Sequence, residues 1–598
     1  MNPFHRTYAR FHKKLLTKTM AIGVLLALMG TACLIQLANI QLINGKTMAQ
    51  AAAQSRTITV TLKARRGKIM DTNGSILAQS VERYTIIGNP EGAQAFTPIT
   101  CTKQTGDICH QIDGKPVGAT GAAAVARLLA PVLDMDATEL GAMLSGTGQY
   151  AVLKKDVTPA VKRKISKLNL DGIVYAELSN ERIYSNGTLM GALLGGVDGE
   201  GKGVAGIEQM ENKTLTGEDG YQVYQQGNNG VEIPGTMTES KDAVNGSDVT
   251  LTINHDVQWY VEKVLRESCE KYSSPWGIAV VQDTQTGDIL ALADSDEIEA
   301  GSDRAKMTVS RAVSETFEPG SIGKVFTMSG MIQLGLHQAS DKFTVPDHIT
   351  MNGQTYSDAT THGDERWTCG ILEQSSNVGM IIAGEKMSNE QRYDFISKFG
   401  VGQDNGLGLP GESDGLLYSA DQWDLRTQNT VLFGQAYATN ALQLTNAVAV
   451  IANKGVKKPQ RIIKTISDAE GHSEEQKPGG EATRVIDEQV ASQVMNAMES
   501  VSDHYQFVKV DGYRVAAKSG TAEVAGADGR LSSIISDYSA IIPADNPRFV
   551  VTVVLKAPQS VFGGLTAGPV TAEIGEFLMQ KYEVPASSPR TDAIPVTW

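Results

Sequence analysis

The sequence predicts a mixed α/β (α+β) chain of more than one domain behind a single N-terminal transmembrane helix. Three observations carry that prediction. At 598 residues the chain is longer than one hydrophobic core organises. A basic, acid-free stretch runs directly into a long apolar one. Beyond it, apolar residues recur partly at helical spacing and partly in the alternation of strands, punctuated by turn residues. A hydrophobic content of 41% with 20% charged residues is that of a globular protein, and a net charge of −14 excludes an extended nucleic-acid footprint.

The first element is the anchor. Residues 1–18, MNPFHRTYARFHKKLLTK, hold Arg6, Arg10, Lys13, Lys14 and Lys18 and no acid. The run MAIGVLLALMGTACLIQLANIQL follows, with Gln36, Asn39 and Gln41 marking its far end. A helix crosses a bilayer in roughly 20 apolar residues, and a basic flank holds its own side in the cytoplasm. A cleaved signal needs a small-x-small site after a shorter apolar core, and none is convincing before Ala38. A lipoprotein signal would modify Cys33, but Gly30 stands where Leu is usual. Residues 19–42 therefore read as an uncleaved anchor, with the rest of the chain outside the cytoplasmic membrane. Five cysteines cannot form a disulfide framework. Cys33 lies in the anchor, Cys269 and Cys369 read as buried, and Cys101 and Cys109 flank a polar loop (CTKQTGDIC) that could close as a local disulfide or stay reduced.

After the anchor, residues 44–81 read as helix followed by extended chain. Asn73-Gly74 between KIM and SIL favours a tight hairpin turn. The Asp71-x-Asn73 pattern hints at a calcium loop but lacks the later ligands. Helices are expected near Ala122–Leu133 and Thr158–Leu168, and an irregular connector leads to Asp248. A long helix, HDVQWYVEKVLRESCEKY, then precedes WGIAVVQDTQTGDILALAD, a hairpin turning at Thr284–Gly287. The main boundary falls near 245–255, and VPASSPRTDAIPVTW reads as a tail. Gly201-x-Gly203-x-x-Gly206 matches the dinucleotide fingerprint on paper, but a Gly-rich loop precedes it and no βαβ unit follows.

The chemistry begins in FEPGSIGKVFTMSGMIQLG, where Lys324 stands three residues after Ser321 in an otherwise apolar helical stretch. That spacing places both side chains on one face. Burial disfavours a charged amine, so a desolvated Lys324 can act as a base for the serine hydroxyl. Alone, S-x-x-K is common, and a snorkelling lysine explains it. Two further pieces change the balance: Ser375-Ser376-Asn377 opens another apolar helical stretch, and Lys518-Ser519-Gly520-Thr521 lies in a strand-like segment. The order S-x-x-K, S-x-N, K-S-G-T defines the active-site-serine penicilloyl transferases. Ser321 and Lys324 then read as nucleophile and base. Ser375 can relay a proton, and Asn377 suits a substrate amide. Lys518 and Thr521 offer a charge and a hydroxyl to a substrate carboxylate. Ser519, Gly520 and Thr521 line a strand to which substrate can add, with Gly520 leaving it room. The Ser321 and Thr521 backbone N–H groups suit an oxyanion hole. The nine histidines show no triad context, no G-x-S-x-G elbow surrounds Ser321, and His362 reads as an exposed loop residue. No metal-ligand cluster of the H-x-x-E-H kind is present.

These motifs, with RRGKIMDTNGSILA, GKGVAGIEQMENKTLTGEDG, GSDVTLTINHDVQ, TGDILALA, LGLPGES and ANKGVKKP in order, resemble the class B penicillin-binding proteins, membrane-anchored peptidoglycan D,D-transpeptidases. The resemblance implies a basic cytoplasmic segment (1–18), the anchor (19–42), a mixed N-terminal pedestal of the dimerisation type (43–248), a transpeptidase domain with an antiparallel sheet flanked by helices (249–583) and a tail (584–598). The compact passage from anchor into RRGKI is similar to the division-specific FtsI type more than the elongation type. The resemblance further implies an acyl-serine reaction on stem peptides ending in D-Ala-D-Ala, covalent inhibition by β-lactams, no cofactor and no nucleic acid. It also implies a glycan polymerase of the FtsW type and other divisome proteins as partners. An elongation-type enzyme and a catalytically idle divisome scaffold are the alternatives. Three departures stand out: Thr72 where Arg is usual, Thr439-Asn440 where Thr-Pro is usual, and Asp537-Tyr538-Ser539-Ala540 in place of Ser-Phe-x-Gly.

Overall fold

The structure is a computed structural model that describes residues 3–227, 232–367, 369–525, 531–559 and 562–598. It divides into two compact units, each assembled from separate stretches of the chain. One comprises Met1–Lys63, Glu82–Asn180 and Asp219–Ala243, the other Ala64–Val81, Glu181–Glu218 and Val244–Trp598.

The first unit opens with helix Pro3–Ala38. From its middle into the following helical turn Asn39–Ile43, the span Thr17–Gln41 has a mean hydropathy of 2.2 and is unburied, long and apolar enough to cross a membrane. Strands Thr57–Leu62, Gly220–Gln225 and Glu239–Lys241 form an antiparallel sheet. Residues 82–180 carry a separate apolar core. Its centre is helix Gly121–Leu133, one residue longer than expected, which buries Val125, Leu128, Leu129 and Leu133 at helical spacing. The helix ends where Asp134 adopts φ +52°, and Asp136 then caps Ala137–Met143 by accepting from the Thr138 and Glu139 amides. The helix expected at Thr158–Leu168 spans Pro159–Ser166 behind the Thr158 cap. Cys101 and Cys109 are joined as a disulfide.

The second unit is built on a five-stranded antiparallel sheet in the order Ile289–Asp294, Gly277–Asp283, Phe549–Lys556, Leu531–Ile542, Ala516–Ala525. Every residue of Gly277–Asp283 is buried, so both faces of the sheet are covered. Helices His255–Tyr272 and Gly563–Lys581 pack on one face. Lys324–Gln333, Ala441–Ala452 and Glu488–His504 pack on the other. The hairpin at Thr284–Gly287 turns as expected, with Gly287 at φ +82° and Asp283 accepting from the Gln285 and Thr286 amides. Helix Ala441–Ala452 is buried all round, and the Asn440 departure serves as its cap by accepting from the Gln443 amide. Ala516–Ala525 lies at the sheet edge.

Two local readings resolve in this unit. Ile69–Met70 pairs with Ile76–Ala78 across Asn73-Gly74, and Asp71 Oδ1 accepts from the Asn73 and Ser75 amides, which is a turn and not a cation loop. The glycines of 201–206 form a hairpin, Gly196–Val197 with Gly203–Ala205, and begin the short helix that carries Glu208. A Cβ on Gly203 would lie 1.8 Å from the Glu208 carbonyl oxygen, so close packing demands that glycine. The tail is docked along the unit: Asn496 donates to the Asp592 carbonyl, Arg590 pairs with Asp503, and the Trp598 amide donates to the Arg366 carbonyl.

Candidate active site

Ser321 occupies a single 3-10 turn, Gly320–Gly323, that runs straight into helix Lys324–Gln333. Gly320 is at φ +50°, and a Cβ there would lie 2.7 Å from the Thr521 carbonyl oxygen. Glycine thus lets the serine's turn lie against the edge strand Ala516–Ala525. Gly520, on that strand, matters for a related reason: a Cβ would lie 2.0 Å from Asp537 Oδ1 and 2.5 Å from the Pro319 carbonyl oxygen. The crowding is on the inward face, between strand and turn.

Lys324 is fully buried, and its Nζ donates to Ser321 Oγ at 2.6 Å, to the Ser375 carbonyl at 2.7 Å and to Ser375 Oγ at 3.3 Å. Burial pushes this amine well below the ordinary lysine range, the charge of Lys518 pushes it further, and Asp358 opposes both. Lys518 is also fully buried and donates to Ser375 Oγ at 2.9 Å and to the Ser519 carbonyl at 3.0 Å. Burial brings it down to about 7, against the opposing charge of Asp537. Two desolvated amines therefore share one hydroxyl, Ser375 Oγ, and burial disposes both of them toward the neutral form. Ser375 itself sits at φ +57°, a conformation a non-glycine residue adopts at some cost.

Ser376 and Asn377 begin helix Asn377–Gly384, with Ser376 Oγ accepting from the Gly379 amide. Asn377 Nδ2 donates to the Ser357 carbonyl at 3.4 Å, and Thr521 Oγ1 accepts from the Gly563 amide at 3.2 Å. The structure thus joins Ser321, Lys324, Ser375, Lys518 and Ser519 in one hydrogen-bonded chain, while Asn377 and Thr521 have separate partners.

Two carboxyl groups escaped sequence reasoning. Asp358 accepts from Ser376 Oγ at 2.5 Å, from the Asn377 amide at 2.6 Å, from the Val378 amide at 3.0 Å, and contacts His362 Nε2 at 3.0 Å. It is an anion on the N-terminus of the Asn377 helix, where the dipole favours one. His362, expected in an exposed loop, is instead mostly covered, with its ring 4.9 Å from that of Trp367. No local pattern marks Asp358, because its partners on the Asn377 helix lie some 18–20 residues on. Asp537, noticed only as a departure, is fully buried opposite Gly520 in the strand register.

Comparisons with known proteins find matching families along the chain. A family described as the penicillin binding protein transpeptidase domain matches residues 277–576, and one described as the penicillin-binding protein dimerisation domain matches 61–251. The chain is 33% identical over 568 residues to penicillin-binding protein PbpB of Mycobacterium tuberculosis, covering 90% of this chain and 81% of the relative. It is 29% identical over 523 residues to peptidoglycan D,D-transpeptidase FtsI of Escherichia coli, covering 85% and 82% respectively. Among solved structures, a peptidoglycan synthetase from Bifidobacterium adolescentis is 81% identical, with a TM-score of 0.75 over 91% of this chain and all of that one. Penicillin binding protein 3 of Mycobacterium tuberculosis complexed with aztreonam is 27% identical, with a TM-score of 0.68 over 90% of this chain and 100% of that one.

Proposed function

The chain belongs to the class B penicillin-binding proteins, peptidoglycan D,D-transpeptidases, and on that premise we propose that Ser321 carries the acyl transfer and that the protein serves septal wall synthesis. The observation that supports the first part most directly is the hydrogen-bonded chain Ser321–Lys324–Ser375–Lys518.

In this reading the Ser321 hydroxyl proton passes to the neutral Lys324 amine along their 2.6 Å contact. Ser321 Oγ attacks the carbonyl carbon of the penultimate D-Ala of a stem peptide. The developing oxyanion is held by the Ser321 and Thr521 backbone N–H groups. The peptide C–N bond breaks, and the departing D-Ala amine takes its proton from Lys324 by way of Ser375 Oγ, which lies between the two lysines. An amine of a neighbouring stem then attacks the ester, gives a proton back through the same path, and restores Ser321. Lys518, Ser519 and Thr521 hold the substrate carboxylate, Gly520 keeps the edge strand flat against the serine's turn, and Asn377 holds a substrate amide. A β-lactam opens at its ring amide by the same attack and stays on Ser321, because its leaving amine remains tethered.

The apolar segment Thr17–Gln41 and the basic residues before it support a single-pass anchor with the N-terminus in the cytoplasm and the site outside. The compact passage from anchor to RRGKI supports the division-type assignment and a glycan polymerase of the FtsW type, with other divisome proteins, as partners. Labelling with a fluorescent penicillin tests the chemistry: the wild type acquires an adduct that peptide mapping places on Ser321, and Ser321→Ala loses it while remaining folded. A folded wild type that never labels would defeat the acyl-serine reading. A fluorescent fusion found along the side wall rather than at division sites would defeat the septal one.

A further inference from the structure

The site described above uses the lysines and hydroxyls but leaves Asp537 without a task. Asp537 is fully buried, and neither of its carboxyl oxygens has a hydrogen-bond partner among the described residues. Such a group is costly to bury and ordinarily satisfied. Its position is fixed by the sheet. Gly520 pairs with Asp537 and Lys518 with Ser539, so Asp537 and Lys518 are diagonal neighbours across one antiparallel pair. Such diagonals separate backbone positions by about 7–8 Å, within reach of long side chains. Both residues are in phase with Ala516, Ala522, Ile535 and Ile541, which face the core containing Ile322 and Val325, so they share the face on which the Ser321 turn lies. The position a Gly520 Cβ would take, 2.0 Å from Asp537 Oδ1 and 2.5 Å from the Pro319 carbonyl, places the carboxyl directly under that turn.

We propose that Asp537 is a positioning residue for acylation: a buried counter-charge that holds a proton on Lys518 so that Lys518 meets the substrate carboxylate as a cation. The inference rests on the acyl-serine reading above. The hydrogen-bond acceptors of Lys518 are a hydroxyl of Ser375 and the carbonyl and hydroxyl of Ser519, all neutral. Burial alone drives Lys518 toward the free amine, and the opposing influence is the charge of Asp537. Asp537 is in turn pushed up by burial and held down by Lys518. Each member of the pair thus opposes the effect of burial on the other.

Other charges around the pair are accounted for. The Ser321 turn and its helix contribute Lys324, and Asp358 acts on Lys324 rather than on Lys518. Helix Ala441–Ala452 carries no charged residue. Helix Glu488–His504 carries Glu499, taken by Arg514 and Arg590, Asp503, taken by Arg590, His504, taken by Glu373, and Glu488, taken by Lys454. Helix Gly563–Lys581 meets the Asp537 backbone through Gly563, and Glu318 beside the turn accepts from the Ala436 amide.

The test is the pH profile of acylation by a fluorescent penicillin bearing a free carboxylate, on the full chain in detergent, for wild type, Asp537→Asn and Asp537→Ser. In the wild type the rate falls on the alkaline side as Lys518 loses its proton. In both variants that fall moves to lower pH by about one unit or more, so the rate at pH 8 drops about tenfold while the rate at pH 5.5 stays at the wild-type level. The loss appears in ligand binding rather than in the acylation step that follows. Profiles of unchanged shape, whether level with the wild type or uniformly lower, overturn the proposal. So does failure of both variants to fold, which would make Asp537 a structural group. Absence of labelling in the wild type at every pH would instead defeat the acyl-serine reading.

Discussion

Two polar clusters lie buried in the same compact unit, and they handle charge in opposite ways. Around Glu208, which is wholly inaccessible, Arg66 Nε and Arg182 Nε each donate to a separate carboxylate oxygen, at 2.6 and 2.7 Å. Other guanidinium hydrogens reach the Glu208 and Gly67 carbonyls, Asn212 and Thr216, while Arg182 Nη2 is left without a partner among the described residues. Around Ser321, two buried amines meet hydroxyls and carbonyls, with no carboxylate within ion-pair distance among the described residues. The first arrangement is a clip that joins residues from Ala64–Val81 to residues from Glu181–Glu218. In the second, the amines meet neutral groups at hydrogen-bond distance, and desolvation disposes Lys324 to give up its proton.

The largest effect that would break this comparison comes from Lys324→Met. Acylation by penicillin is expected to fall about 1,000-fold, the weight of a general base. The denaturant midpoint is expected to hold or rise, because a desolvated amine has been replaced by an apolar chain of similar size. A marked loss of stability would place Lys324 with the structural clip instead. Next, Glu208→Gln leaves two guanidinium groups buried without their carboxylate, and the unfolding free energy should drop by about 3–5 kcal/mol. Chemical denaturation measures it, and the fraction still folded should acylate at the wild-type rate; a selective loss of acylation would remove the distinction. The smallest effect tests the residue between the two classes. Asp358→Ala removes the anion from the helix that presents Asn377 and should slow acylation about tenfold, with a stability loss of about 1–2 kcal/mol. A change in stability alone would make Asp358 a cap and nothing more.

Much of this was legible residue by residue. The apolar run after Lys18, the Asn73-Gly74 hairpin, the turn at Thr284–Gly287 and the helix at Ala122–Leu133 each depend on neighbours a few positions apart, so local spacing carries them. The same holds for Ser321 and Lys324, which one helical turn brings together. Asp358 and Asp537 were not legible, because their partners are set by tertiary placement and strand register. The docking of the tail through Asp592 and Trp598 was equally hidden, since nothing local distinguishes an extended segment that packs from one that does not.

By itself, the sequence determined the anchor, the identity and order of the S-x-x-K, S-x-N and K-S-G-T groups, and through them the family. Those properties reside in residue type and short-range spacing. The tertiary structure decided that Ser375 Oγ stands between Lys324 and Lys518, that Cys101 is bonded to Cys109, and that Gly520 is needed on its inward face. It also decided the charge state of the site. A lysine acquires an unusual proton affinity only when chain segments distant in sequence close around it and exclude water, and that desolvation is a property of the packed fold.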